Sequence, residues 1–242
     1  MTTIGGNTFE NCTSLTSVSI GSSVTEIGER TFYGCNSLAS ISIPNSVITI
    51  GNFAFSYCIG LTTVNIGDGV KTINPFAFSD CTNLTSVTLG NSITEIGMQA
   101  FRSCENLLSI TIPNSVITIG ENAFSDCSAL TSAIIGNSVT TIGYYAFNRC
   151  RGLSSIILSN SVISIGSEAF ADCTGLTSVS FGNSVKEIGY EAFYGCISLT
   201  SITIPSSVTS IDENAFSNCS DLGRIVVNAD NPVYDSRNNC NA

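Results

Sequence analysis

Residues 104–126 read CENLLSITIPNSVITIGENAFSD, and the pattern they carry recurs along the whole chain. Cys104 is one of ten cysteines spaced 23 residues apart without a slip: Cys12, Cys35, Cys58, Cys81, Cys104, Cys127, Cys150, Cys173, Cys196 and Cys219. Leu107, Ile110, Ile112, Pro113, Val116, Ile119, Gly120, Ala123 and Phe124 sit at fixed offsets from Cys104, and most of them recur in every full repeat. A period between 20 and 29 residues marks a solenoid, in which each coil buries its apolar face only by stacking on its neighbours.

Within one coil, Leu107-x-x-Ile110-x-Ile112 ends in period-2 alternation rich in β-branched residues. Ser109–Ile112 is therefore expected to be a short strand with Ile110 and Ile112 facing inward. Pro113 ends it, and Gly90 and Gly136 do so in other coils, because proline lacks an N–H and glycine loses the most entropy when fixed. Val116-x-x-Ile119-Gly120 predicts a second brief extended segment, with the glycine permitting a positive φ at the next bend. Asn122–Asp126 is too short for a free-standing helix, so one helical or 3₁₀ turn is expected there. Stacked at the ~4.7–4.9 Å spacing of paired strands, the coils would form an array on the order of 45 Å long.

The composition narrows the partners. Eighteen acidic residues against eight basic give the 242-residue chain a net charge of −10, which repels phosphate backbones and anionic lipid surfaces. Nucleic acid is excluded as an expected partner. Arg149 and Arg151 are the closely spaced cations, and Asp126 and Asp172 occupy the matching stretches of neighbouring coils. No run approaches the ~18–20 consecutive apolar residues of a membrane span, and the N-terminus has neither the basic nor the apolar segment of a signal peptide.

The cysteines and phenylalanines form columns. Equivalent residues of stacked coils point the same way about one strand spacing apart, whereas a disulfide needs Cβ atoms roughly 3.5–4.5 Å apart and directed at each other. Without a histidine or a C-x-x-C pair, tetrahedral zinc has no support either. Each thiol is expected to be a small buried hydrophobe with a weak S–H donor. Cys240 stands off the period, in a polar tail, as the candidate reactive thiol. The column Phe9, Phe32, Phe55, Phe78, Phe101, Phe124, Phe147, Phe170, Phe193 and Phe216 is expected to be stacked core rather than a ligand channel.

Written as C-x-x-L-x-x-(V/I)-x-I-(P/G)-x-S-V-x-x-I-G-x-x-A-F-x-x, the array resembles the BspA-like, or Treponema-type, leucine-rich repeats of bacterial surface antigens. The resemblance covers Ile4 to Val227, and Asn231–Arg237 resembles the segment that follows such arrays. It implies a leucine-rich repeat solenoid of the α/β horseshoe type, with short parallel strands on its concave side. It also implies a secreted or cell-surface protein that adheres to host proteins or to other microbes. The expected organisation is a single array over residues 1–227, made of a partial first coil, nine full coils from Cys12 to Asn218 and a partial last coil. Residues 228–242 are expected to flank it. Neither end shows an evident closing element, which points to a piece of a longer protein.

Three columns beside the inward strand residues are expected to face solvent on the concave sheet. One holds Thr62, Thr85, Leu108, Thr131, Ser154, Thr177 and Thr200, and the next Thr63 through Ser201. The third holds Ser19, Ser42, Asn65, Thr88, Thr111, Ile134, Ile157, Ser180 and Thr203. This hydroxyl face suits hydrogen bonding to a glycan or to a partner's backbone, although threonine is also what an exposed strand prefers. Leu108, Ile134 and Ile157 break it as an apolar patch. A second candidate is the set of aromatics at variable positions, among them Tyr33, Phe53, Tyr57, Phe76, Tyr144, Tyr145 and Tyr190. The candidate ligand-binding residues are therefore Thr85, Thr88, Leu108, Thr111, Thr131, Ile134, Ile157, Tyr144, Tyr145 and Tyr190.

The expected function is non-enzymatic binding of a protein or glycan by a surface adhesin. Its partner would be a host extracellular-matrix or surface protein, a glycan, or another microbe's surface. A spacer that holds another domain away from the cell is the alternative, and ice binding by threonine rows a weaker third. No catalytic residue, metal ligand or cofactor is expected: acid–base chemistry at neutral pH lacks a histidine, and catalysis needs a singular constellation that a periodic chain does not offer.

Overall fold

The computed structural model describes residues 2–234. It is a parallel β-solenoid with three walls. One wall is a ten-stranded sheet of two-residue strands, from Thr3–Ile4 to Ser210–Ile211. The second is a seven-stranded sheet from Ser40–Ile43 to Ser178–Ser180, continued by the paired strands Ser201–Ile204 and Arg224–Val227. Every pairing is parallel and joins residues 23 apart: Thr118 to Thr141 in the first sheet, Ser109 to Ser132 in the second. The cysteine period is thus the register of both sheets.

The third wall departs from the sequence expectation. Asn122–Asp126 forms neither a helical nor a 3₁₀ turn. Asn122 and Asp126 have φ of +54° and +59°, and equivalent left-handed residues recur in nearly every coil, which interrupts any helix. Backbone donors alternate along this wall. The amides of Asn122, Phe124 and Asp126 donate to carbonyls of Tyr144, Ala146 and Asn148 in the next coil, each at 2.8 Å. Those of Ala123, Ser125 and Cys127 bond three residues back within the coil. The turn wall is therefore a third hydrogen-bonded ladder.

The glycines also act differently from expectation. Gly34 and Gly195 have positive φ, but the Gly120 column does not. A Cβ on Gly143 would lie 2.7 Å from the Gly120 carbonyl carbon and 2.8 Å from the Ile119 oxygen. Close approach between coils, not handedness, demands glycine here.

The core is continuous. Phe32 to Phe193 are fully buried, and Phe124 stacks between Phe101 and Phe147 with ring centroids 5.4 and 5.2 Å away. Phe9, at the array's start, is exposed. Cys35 to Cys219 are buried free thiols whose Sγ donates to a phenylalanine carbonyl of the preceding coil; Cys150 reaches Phe124 O at 3.2 Å. The Phe124 carbonyl also accepts from Cys127 N, so the thiol supplies the link between coils. Burial raises the pKa of the thiols from Cys35 to Cys173, with Cys58 and Cys173 pushed up to about 12, whereas a hydrogen bond with Cys196 lowers that of Cys219. Cys12 is exposed, and Cys240 lies outside the described residues.

Two further devices were not anticipated. Asparagine or aspartate side chains after the strand turn accept from the next coil's backbone: Asn114 Oδ1 takes Asn137 N at 2.9 Å, and Asp68 Oδ1 takes Asn91 N at 2.7 Å. At the far end, Asn231 Nδ2 donates to the carbonyls of Pro205 and Val208, while the Tyr234 hydroxyl accepts from Ile211 N at 2.9 Å. This segment covers an edge that the sequence reading leaves open.

Candidate functional site

The outward residues of the seven-stranded sheet form the hydroxyl face, and its columns are not equivalent. In the first, hydroxyls are already used: Thr85 Oγ1 donates to Thr62 O at 3.1 Å, Thr131 to Leu108 O at 3.0 Å, and Thr177 to Ser154 O at 2.9 Å. These threonines link coils and offer a ligand only acceptor lone pairs. Thr88 and Thr111, in the third column, are exposed strand residues whose side chains point away from the core.

The apolar exceptions stand on this same face. Leu108, Ile134 and Ile157 are 53%, 59% and 69% exposed, among the most open large apolar side chains of the molecule. Ile134 and Ile157 are direct strand partners, and Ile134 pairs with Thr111 on its other side. Beside them lies a shallow cavity of about 280 Å³, lined by Ala133, Ile135, Asn137, Ser155 and Ser159 among others. Ala133 helps to open it, because the equivalent inward position holds Ile110 and Ile156 in the adjoining coils. Seven of the ten predicted site residues, Thr85, Thr88, Leu108, Thr111, Thr131, Ile134 and Ile157, therefore share one face.

The other three do not join them. Tyr144, Tyr145 and Tyr190 lie at the corner and on the turn wall beyond the ten-stranded sheet. Tyr145 is tied down, its hydroxyl donating to Glu168 Oε1 at 2.7 Å, and that bond raises its pKa. Several variable aromatics are held in left-handed backbone: Phe53, Tyr57, Phe76 and Tyr145 have φ of +55° to +60°. That conformation costs an L-residue roughly 1–2 kcal/mol. For two of them stacking offsets it: the Phe53 and Phe76 rings lie 4.5 Å apart, and the Arg30 guanidinium sits 5.2 Å over Phe53 and 5.0 Å over Tyr33. Arg149 lies 3.8 Å from both Asp126 and Asp172, so the basic pair does not form a free cationic patch.

Among the described residues no group of three or more His, Cys, Asp or Glu side chains converges as a metal site, and no helix is long and apolar enough to cross a membrane.

The family model for the BspA type leucine rich repeat region, in six copies, matches residues 2–131 and 94–223. The chain belongs to that family. Its BspA-type coils are similar to a leucine-rich repeat protein from Bacteroides ovatus, 33% identical with a TM-score of 0.71. That match covers 84% of this chain and 59% of the other, so the BspA-type array spans less than two thirds of the B. ovatus chain. They are also similar to the T. pallidum leucine-rich repeat protein, at 30% identity and a TM-score of 0.62, over 66% of this chain and 77% of that one. No curated protein matches the chain.

Proposed function

We propose that this BspA-type array is a non-enzymatic binding module of a cell-surface or secreted adhesin, and that it engages a partner protein or glycan through the seven-stranded sheet. The observation that carries this is the paired, exposed Ile134 and Ile157 on a face that, Leu108 apart, is covered mainly by hydroxyls. An apolar island ringed by polar groups has the composition of an interaction site, with a desolvated centre and a hydrogen-bonding rim. Thr88 and Thr111 supply rim hydroxyls beside it. A rigid sheet also lowers the ordering cost of association. The surface setting is the one its family resemblance implies.

The test is surface plasmon resonance against a panel of extracellular-matrix proteins and glycans, using the chain and the Ile134→Glu/Ile157→Glu double variant. Because both residues are exposed, the variant is expected to keep its circular dichroism spectrum and melting temperature while losing at least about tenfold in affinity for the partner found. Undiminished binding by the folded double variant would move the site elsewhere. A spacer role is the second reading, favoured by the internal use of the first hydroxyl column; it predicts no partner in such a panel.

A further inference from the structure

Where the ten-stranded sheet meets the turn wall, successive coils leave a groove of about 560 Å³ that runs across five of them. Its floor is bare backbone. Gly120, Gly143, Gly166 and Gly189 line it, and the close approach of the preceding coil forbids a Cβ at any of the four. Thr118, Thr141 and Ser164 form one wall, Tyr144 and Ser167 part of the other. Unlike Thr94, Thr140 and Thr209, whose hydroxyls donate to carbonyls of the preceding coil, the hydroxyls of these groove residues make no hydrogen bond to the described protein.

The charge in the groove has one sign. Glu121 stands toward one end, Glu187 and Asp212 toward the other, and no lysine or arginine lines it. A neutral ligand covering this surface would strip water from three carboxylates without replacing it, which is costly. Four steps between coils of about 4.8 Å make the groove about 19 Å long, the reach of roughly six extended residues. We propose that the groove is a second binding site, separate from the sheet face, which takes an extended segment of a partner polypeptide with a lysine or arginine near each end. Its central hydroxyls pair with the segment's backbone, Tyr144 covers one side, and the terminal carboxylates take the two cations.

The experiment pans phage-displayed random dodecapeptides on the full chain, then measures recovered sequences as labelled synthetic peptides by fluorescence anisotropy. Recovered peptides are expected to carry lysine or arginine at two positions four to six residues apart. Their binding should weaken about tenfold between about 50 and about 300 mM NaCl, as exposed charge pairs do. The exposed-residue variant Glu121→Gln/Glu187→Gln/Asp212→Asn, checked for folding by its thermal melt, should lose a further tenfold or more, about 1.4 kcal/mol per decade. Ile134→Glu/Ile157→Glu should bind these peptides as the parent does, which separates this site from the sheet face. Recovery of peptides without basic enrichment, or equal binding by the triple variant, would overturn the proposal. So would competition by a neutral oligosaccharide with no effect of salt.

Discussion

Phe124 summarises what one residue does in this fold. Its ring is fully buried between two copies of itself, and its carbonyl receives both an amide of its own coil and the thiol of Cys150. Offset aromatic stacking adds about 0.5–1.5 kcal/mol per pair to the area buried. Phe124→Ala is therefore expected to cost about 3–5 kcal/mol, the range for truncating a buried aromatic, read as a shift in urea unfolding. A loss below about 1 kcal/mol would contradict the stacked column. The thiols follow the same logic. Among the described cysteines only Cys12 is exposed, so Ellman titration of the native chain should find Cys12 reacting quickly and Cys35 to Cys219 only on unfolding. The burial that protects Cys35 to Cys173 is also what raises their pKa.

At the scale of the element, the strands were legible and the third wall was not. Period-2 alternation placed Ile110 and Ile112 inward, where they are buried, and Pro113 after the strand. The left-handed residues of the turn wall carry a weaker signal. In one of their two columns Asn11, Gly34, Asp80, Asp126, Asp172, Gly195 and Asn218 are residue types that tolerate positive φ, against Tyr57, Ser103 and Arg149, and this majority could have excluded a helical turn. The other column dilutes that signal, since it holds Asn7, Asn122 and Asn214 but also Phe53, Phe76, Tyr145 and Glu168, for which no local preference points that way. Glycine was misassigned for a related reason: a sequence shows that a side chain is absent, not whether φ or a neighbouring coil forbids it. Gly143→Ala tests the distinction. It should destabilise by about 1–3 kcal/mol through contact with Gly120 and Glu121, although its φ is one that alanine adopts freely. The apolar island was legible because Leu108, Ile134 and Ile157 break their columns. The groove was not, since it exists only between coils, and its floor is made of the residue type that shows no side chain.

At the scale of the molecule, a chain with a net charge of −10 is held together by nearly neutral internal contacts, and the thiols make their stability depend on alkaline pH. In the unfolded chain a thiol ionises near 8.5, whereas burial pushes Cys58 and Cys173 up to about 12. Their contribution is complete below the unfolded value and is lost as pH rises from there through the folded one. The unfolding free energy from urea titration should therefore be flat between about pH 6 and pH 8 with respect to these groups and fall above about pH 9, by up to about 1.4 kcal/mol per unit for each such thiol. A midpoint unchanged at pH 10 would mean that the cysteine column opens without the rest of the coil unfolding.

The turn wall sends its amides forward to the next coil, while the corner glycines send theirs back: Gly120 N donates to Ile96 O and Phe124 N to Ala146 O, both at 2.8 Å. Each coil thus presents a matching socket and plug to any other coil of the same length, whatever its surface residues. Excising one whole repeat, such as residues 104–126, would bring Ser103 to Cys127 in perfect phase, whereas removing a single residue would put every downstream plug out of step. The reach of such a protein is digital. Unequal exchange between repeats of its gene can lengthen or shorten it by about 4.8 Å at a time while the joint remains native.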